Sequence, residues 1–395
     1  MNPAVARRLA PIQEYYFSQK LREIEALSQA GPRVINLGIG SPDLPPHPSV
    51  IEALTSAARL PASHAYQSYQ GVPALRRAMA DWYERSYGVT LDPESEVLPL
   101  LGSKEGIVHL CMTFLEAGDE ALIPDPGYPA YRAAVLLSGA TPVAYDLTAA
   151  RGWLPDLRAL ARRDLSRVKL MWLNYPHMPT GARADAAALA ELVAFARQHD
   201  ILLVHDNPYS FVLNDEPLSL LAVPGARAVA LELNSLSKSH NLAGWRVGLL
   251  AGRADLLRQV LRFKSNMDSG MFLPVQLAAA AALRLGPEWY AELNARYRAR
   301  REQVFELLTS LGCSFDRTQA GLFVWARVPA GFPDGFALSE EVLRAARVFI
   351  TPGGIFGPNG TGFVRVSLCQ PEAVLTEALG RIARVQRPQP TLMQA

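Results

Sequence analysis

Only three of the 395 residues are cysteine, Cys111, Cys313 and Cys369, and they lie far apart with no CxxC pair. So sparse and odd a set argues against a disulfide framework or a cysteine zinc site and points to a reducing compartment. An excess of one charge is also missing: 39 Lys and Arg stand against 37 Asp and Glu, giving a formal net charge of +2 spread along the chain. No basic face or tail remains to grip nucleic acid or an anionic membrane. No apolar run approaches the ~18 residues of a membrane span, and MNPAVARRLAPIQEYYFSQKL at the start has no apolar signal core. The expectation is a soluble cytoplasmic protein. Low-complexity blocks and internal repeats are absent too; the 30 prolines and 28 glycines are scattered as turn punctuation.

What is present is core: 49% of the residues are hydrophobic, enough for one large domain and a smaller one. EVLPLL, EALIPD, TPVAYDL, VKLMWLNYP, ILLVHDN, AVALELNS and RVGLLAG read as strands. Between them, KEGIVHLCMTFLEA, YPAYRAAVLLSG and ADAAALAELVAFARQHD carry apolar residues at helical spacing. This alternation predicts an α/β sheet with helices on both faces. From about Pro287 the pattern changes to a long charged helix, the strand GLFVWARV, a helix near SEEVLRAARV and the strand GFVRVSLC. The expected division is an N-terminal arm over residues 1–45 that joins the small domain, a large domain over 46–286, and a small α+β domain over 287–395.

The polar constellations all follow apolar runs, where open α/β sheets bind their ligands. GSKEG (102–106) opens a helix after a strand, so Ser103 and the amides of Ser103 and Lys104 suit a phosphate; the alternative is that Ser103 merely caps the helix. Asp206 ends ILLVHD, where a buried carboxylate needs a partner such as a protonated ring nitrogen, or else acts as a turn aspartate before Asn-Pro. Tyr209 lies three residues on. In SLSKSHNLAGWRVG (235–248), Lys238 sits at the lip of the sheet beside Ser235 and Ser237, with Arg246 eight positions later. A desolvated lysine near other cations has a lowered pKa, and its neutral amine attacks carbonyls. A phosphate cradle, a nucleophilic lysine and an aspartate for a ring nitrogen together describe a pyridoxal-phosphate site.

In order along the chain, INLGIGSPDLP, YQSYQGVPALRRAMADWY, GSKEG, PDPGYPAY, NYPHMPTG, HDNPYS, SLSKSHNLAGWRVG and FVRVSL resemble the class I/II aminotransferases, fold-type I pyridoxal-phosphate enzymes. GSKEG, PDPGYP, NMDSG (266–270) and TPGGIFGPNGTGFVRV look most like the LL-diaminopimelate aminotransferase group. The resemblance implies a large domain with a mostly parallel central sheet plus a smaller α+β domain. It implies that Lys238 holds the cofactor and then moves the proton at the substrate, Asp206 keeps the pyridine nitrogen protonated, Tyr209 donates to the phenolic oxygen, and Tyr128 stacks on the ring. Ser103, Lys104, Ser235, Ser237 and Arg246 would hold the phosphate, with Tyr66 reaching in from the second subunit of a homodimer. Arg365 would take the α-carboxylate in a two-pronged bond, supported by the amide of Gly40, with Tyr15 and Lys104 as further substrate contacts. No metal is implied.

One position departs. The family usually reads Asn-Pro-Thr-Gly, its asparagine bonding the phenolic oxygen, whereas this chain has Met178-Pro179-Thr180-Gly181 after His177. A thioether has no hydrogen to donate. Either Tyr209 alone supports that oxygen, or His177 or Asn174 takes over. The expected activity is transfer of an L-amino acid's nitrogen to a 2-oxo acid by a ping-pong route. The alternatives are a C–S lyase, decarboxylase or cyclase on the same fold. A cofactor-sensing regulator is disfavoured, because about twenty residues ahead of the family core leave no room for a helix-turn-helix.

Overall fold

Strand β1 (Ile35–Asn36) comes first in the computed structural model, which describes residues 4–386. β2 (Val97–Leu100), β3 (Glu120–Asp125), β4 (Thr141–Asp146), β5 (Val168–Leu173), β6 (Leu202–Asp206), β7 (Ala230–Ser235) and β8 (Gly248–Gly252) follow, one for each apolar run named above. They form a single sheet in the order β2-β8-β7-β6-β5-β3-β4. β8 is antiparallel to both its neighbours, and the other pairs are parallel. Alternate residues of one strand enter different cores: Met171 and Leu173 pack on one face, Leu170 and Trp172 on the other. A strand covered on both faces has no polar side, which is why the inner segments, unlike the exposed edge strand β4, read as continuous apolar runs rather than alternating ones. Each such large side chain contributes about 1.5–3 kcal/mol by leaving water.

The last part of the chain builds β9 (Ser314–Phe315), β10 (Phe323–Arg327), β11 (Val348–Phe349), β12 (Thr351–Pro352) and β13 (Phe363–Ser367). Four of these make an antiparallel sheet, β12-β13-β10-β9, while β1 pairs in parallel with β11, Ile35 opposite Val348. The helix Pro287–Ser310 lays Leu293, Tyr297, Val304 and Leu308 into this third core. β1 thereby carries Gly38 and Gly40 to the mouth between the two sheets. Gly38 is fixed there by space, since a Cβ on it would sit 2.3 Å from the Phe349 ring. Among the described residues, no helix is long and apolar enough to cross a membrane.

Candidate active site

A cavity of about 450 Å³ opens at the carboxyl ends of β5, β6 and β7. Tyr15, Gly40, Ser103, Lys104, Tyr128, Asn174, Asp206, Tyr209, Ser235, Ser237, Lys238, Arg246 and Arg365 all line it. Of the residues named from the sequence, Tyr66 and His177 are not in the lining; Tyr66 stands 90% exposed on the surface and His177 is buried.

Lys238 closes a short helix, Leu236–Ser239, directly after β7. Ser235 caps that helix by accepting from Ser237 N, and its hydroxyl donates to Ser237 Oγ at 2.9 Å. Lys238 Nζ donates to Gly40 O at 2.6 Å. Burial holds its pKa below that of an ordinary lysine; Arg365 and Arg246 push the same way, while Cys369 opposes them. The amine is therefore poised toward its neutral, nucleophilic form.

The helix Ser103–Phe114 begins at Gly102 with no side-chain cap. Ser103 is thus the first helical residue rather than the cap. A Cβ on Gly102 would meet the Arg246 guanidinium at 2.2 Å, and φ there is +88°. Only glycine brings that guanidinium against an uncapped helix start, and the two together form an anion cradle. Burial, followed by Arg246, also lowers the pKa of Lys104.

Asp206 is 4% exposed, and its Oδ2 accepts from Tyr131 OH at 2.9 Å. Its Oδ1 is buried without a partner among the described residues. Desolvation raises the carboxyl to about 6, against the Tyr131 hydrogen bond and the nearby His205. Asp206 caps nothing; a cation is what it lacks. Tyr131 is a residue the sequence reading missed, although it follows Tyr128 by one helical turn. It is stacked on Trp172 at 4.9 Å, which fixes its hydroxyl on the carboxylate.

Arg365 points from β13 into the cavity, its guanidinium 3.8 Å from the Phe323 ring centroid and 4.6 Å from that of Phe356. Nη2 donates to Gly38 O at 2.8 Å and Nη1 lies 3.2 Å from Met178 Sδ, while Nε is buried without a partner among the described residues. Among the described residues, no carboxylate bridges it, so it is not half of a structural ion pair. Burial pulls its pKa down to about 10, opposed by the Tyr209 and Tyr15 phenols. The flanking rings were missed as well, because Phe323 on β10 and Phe356 in the 353–356 turn are ordinary apolar residues until the chain folds them onto Arg365.

Asn174 spends its oxygen on Met178 N at 2.7 Å and donates to Asp206 O at 2.6 Å. His177 is bonded through Nδ1 to Thr180 Oγ1 at 2.8 Å and lies outside the cavity lining.

A desolvated amine, an anion cradle, a carboxylate lacking a cation and a forked cation lacking a carboxylate share one cavity. The profile described as aminotransferase class I and II matches residues 32–382. The chain belongs to the class I and II aminotransferases. It is 45% identical over 384 residues to the LL-diaminopimelate aminotransferase of Desulforudis audaxviator, 97% of this chain and 98% of that one. It is 43% identical to that of Moorella thermoacetica over 96% of this chain and 98% of that one. Among solved structures, substrate-bound BacF from Bacillus subtilis superimposes with a TM-score of 0.92 at 37% identity, over 98% of both chains. These are fold-type I aminotransferases, as the sequence motifs led us to expect, and the family depends on pyridoxal phosphate. The enzyme passes the amino group of an amino acid to a 2-oxo acid. The lyase, decarboxylase and cyclase alternatives give way to that reading.

Proposed function

We propose that this aminotransferase binds pyridoxal phosphate in the cavity of Lys238 and takes a donor amino acid by its α-carboxylate on Arg365. The observation that carries the reading is Asp206 Oδ1, a buried carboxylate oxygen with no partner, facing the cavity that holds a desolvated lysine. That oxygen fits a protonated ring nitrogen. The uncapped helix start at Ser103, with Ser235, Ser237, Lys104 and Arg246, fits the phosphate. Tyr128 fits the ring face, and Tyr209 fits the phenolic oxygen.

The bound cofactor supplies an electron sink for the bonds at the amino acid's Cα. The chain does the rest. Arg365 orients the α-carboxylate with its planar fork, and the Gly40 amide supports it. Phe323 and Phe356 keep water from the guanidinium, which strengthens that bond. Lys238 Nζ, whose pKa burial lowers, takes the proton from Cα and returns it. Asp206 keeps the ring-nitrogen proton in place throughout.

LL-diaminopimelate is the first donor to test, because the curated relatives named above carry that substrate in their names. Lys104, 4.9 Å above the Tyr15 ring, adds a cation suited to a donor with a second carboxylate. The deciding experiment adds single amino acids to the purified yellow protein without an oxo acid. The donor is expected to bleach the yellow band stoichiometrically, and a 2-oxo acid to restore it. Product release without an oxo acid, with the band intact, would rule the reading out.

The reading extends to a homodimer in which Tyr66 reaches the second copy's phosphate. Tyr66, Tyr69, Met267 and Phe272 are large, exposed apolar groups. Their segments touch: His64 lies 5.9 Å from Phe272, and a Cβ on Gly270 would meet Gln67 O at 2.6 Å. An exposed patch of this kind marks an interface. Sedimentation is expected to give a dimer; a fully active monomer would remove Tyr66 from the site. The division into residues 1–45, 46–286 and 287–395 belongs to the same reading, supported by the pairing of β1 with β11. The outermost residues, 1–3 and 387–395, lie outside the described residues.

A further inference from the structure

Three side chains competed for the place of the missing asparagine amide. Met178 occupies the position, 6% exposed, in the same apolar cluster as Tyr209, Phe323 and Phe356. Its sulfur faces Arg365 Nη1 at 3.2 Å and has no hydrogen to give. His177 is turned to Thr180 and does not line the cavity. Asn174 lines it, but its oxygen and one amide hydrogen brace the backbone of Met178 and Asp206. Tyr209 remains. Its ring is seated between Gly321, where a Cβ would come within 3.7 Å, and Phe323, at 6.1 Å. Its hydroxyl makes no hydrogen bond among the described residues. Burial raises its phenol far above the usual value, so it keeps its proton at every working pH.

We propose that Tyr209 is the sole side-chain donor to the cofactor's phenolic oxygen in this enzyme, and that Met178 leaves the second donor place empty. The inference rests on the pyridoxal-phosphate reading above. Its consequence follows from charge. With the cofactor bound, a negative phenolic oxygen would favour a proton on the Lys238 nitrogen, and each hydrogen bond this chain donates to that oxygen would draw off charge and let the proton leave at lower pH. A site with one donor keeps that proton to higher pH than a site with two. The other groups facing this part of the cavity are Lys104, Asp206, Arg246, Arg365, Tyr15 and Tyr128, with Cys369 behind them, and all of these are unchanged in the variants below.

The test is the pH titration of the holoenzyme's visible absorption, with borohydride reduction and peptide mapping of the linked lysine. Tyr209→Phe removes one oxygen from a packed ring and is expected to raise the midpoint by about one pH unit, the size of one hydrogen bond to a charged acceptor. Met178→Asn is expected to lower it by a similar amount, and Met178→Leu to leave it where it is. If Met178→Asn does not fold, the Tyr209→Phe shift decides alone. An unmoved midpoint in Tyr209→Phe overturns the proposal and directs attention to the second amide hydrogen of Asn174. Equal shifts in Met178→Leu and Met178→Asn also overturn it, since packing rather than the amide would then be responsible. A chromophore fixed to Lys238 but indifferent to Tyr209 sinks this inference alone. Wild-type protein with no chromophore on Lys238 sinks the cofactor reading along with it.

Discussion

Lys238→Ala is expected to reduce turnover by at least about 10⁴-fold, the upper range for losing a positioned general base, with loss of the covalent hold adding to it. No neighbour can substitute. Lys104 and Arg246 lie at the uncapped start of the helix Ser103–Phe114, and Arg365 is held between Phe323 and Phe356. The fold should not suffer in proportion. Burial lowers the Lys238 pKa, so the folded chain binds fewer protons there than the unfolded chain does. Stability contributed by this group therefore rises as pH rises toward the ordinary lysine value, and at neutral pH the buried amine is a burden that alanine removes. The cofactor-free variant is expected to melt no lower than wild type at pH 7, despite losing the bond to Gly40 O. Calorimetry and single-turnover transfer measure the two effects separately. A variant that melts much lower, or retains a tenth of the activity, would mean that Lys238 is structural.

The same tension explains what the sequence showed and what it hid. The strands of the large sheet were legible because burial on both faces makes the inner ones continuous apolar runs; the edge strand β4, with only Tyr145 buried, was legible from its place between two helical segments. The direction of β8 was not legible: a buried antiparallel strand carries the same apolar composition as a parallel one. Asp206 and Arg365 stood out as charges in apolar runs, and Lys238 as a lysine among serines just after a strand, which a chain does not keep for stability alone. Their partners were invisible for the opposite reason. Tyr131, Trp172, Phe323 and Phe356 are ordinary apolar residues in sequence, and only the folding of the chain brings them onto Asp206 and Arg365. Met178 was visible as a departure, but its contact with Arg365, 187 residues away, belongs to the structure alone.

Asp206→Asn is expected to move activity and stability in opposite directions. Desolvation raises the Asp206 carboxyl from 3.8 to about 6. Between those values the folded protein holds a proton that the unfolded chain has released, so stability falls as pH rises through the window and stays lower above it. A shift of about two units corresponds to about 3 kcal/mol against the cofactor-free fold at pH 7. Asparagine keeps the shape and accepts the Tyr131 hydroxyl without ionising. The cofactor-free variant is therefore expected to melt a few degrees above wild type at pH 7, with the difference vanishing below about pH 4. Activity goes the other way. A neutral amide cannot hold the ring-nitrogen proton, and losing one partner of a buried charge pair costs about 3–5 kcal/mol, roughly 10²–10⁴-fold in kcat/KM. Melting curves of both cofactor-free proteins from pH 4 to 8, beside turnover at pH 7, separate the two terms. If the variant melts below wild type at every pH, the carboxylate braces the fold through Tyr131 and its unpaired oxygen is not a cofactor contact. If the variant melts higher at pH 7 and the two curves converge between pH 6 and 4, with activity lost, Asp206 is a charge the fold tolerates for its ligand.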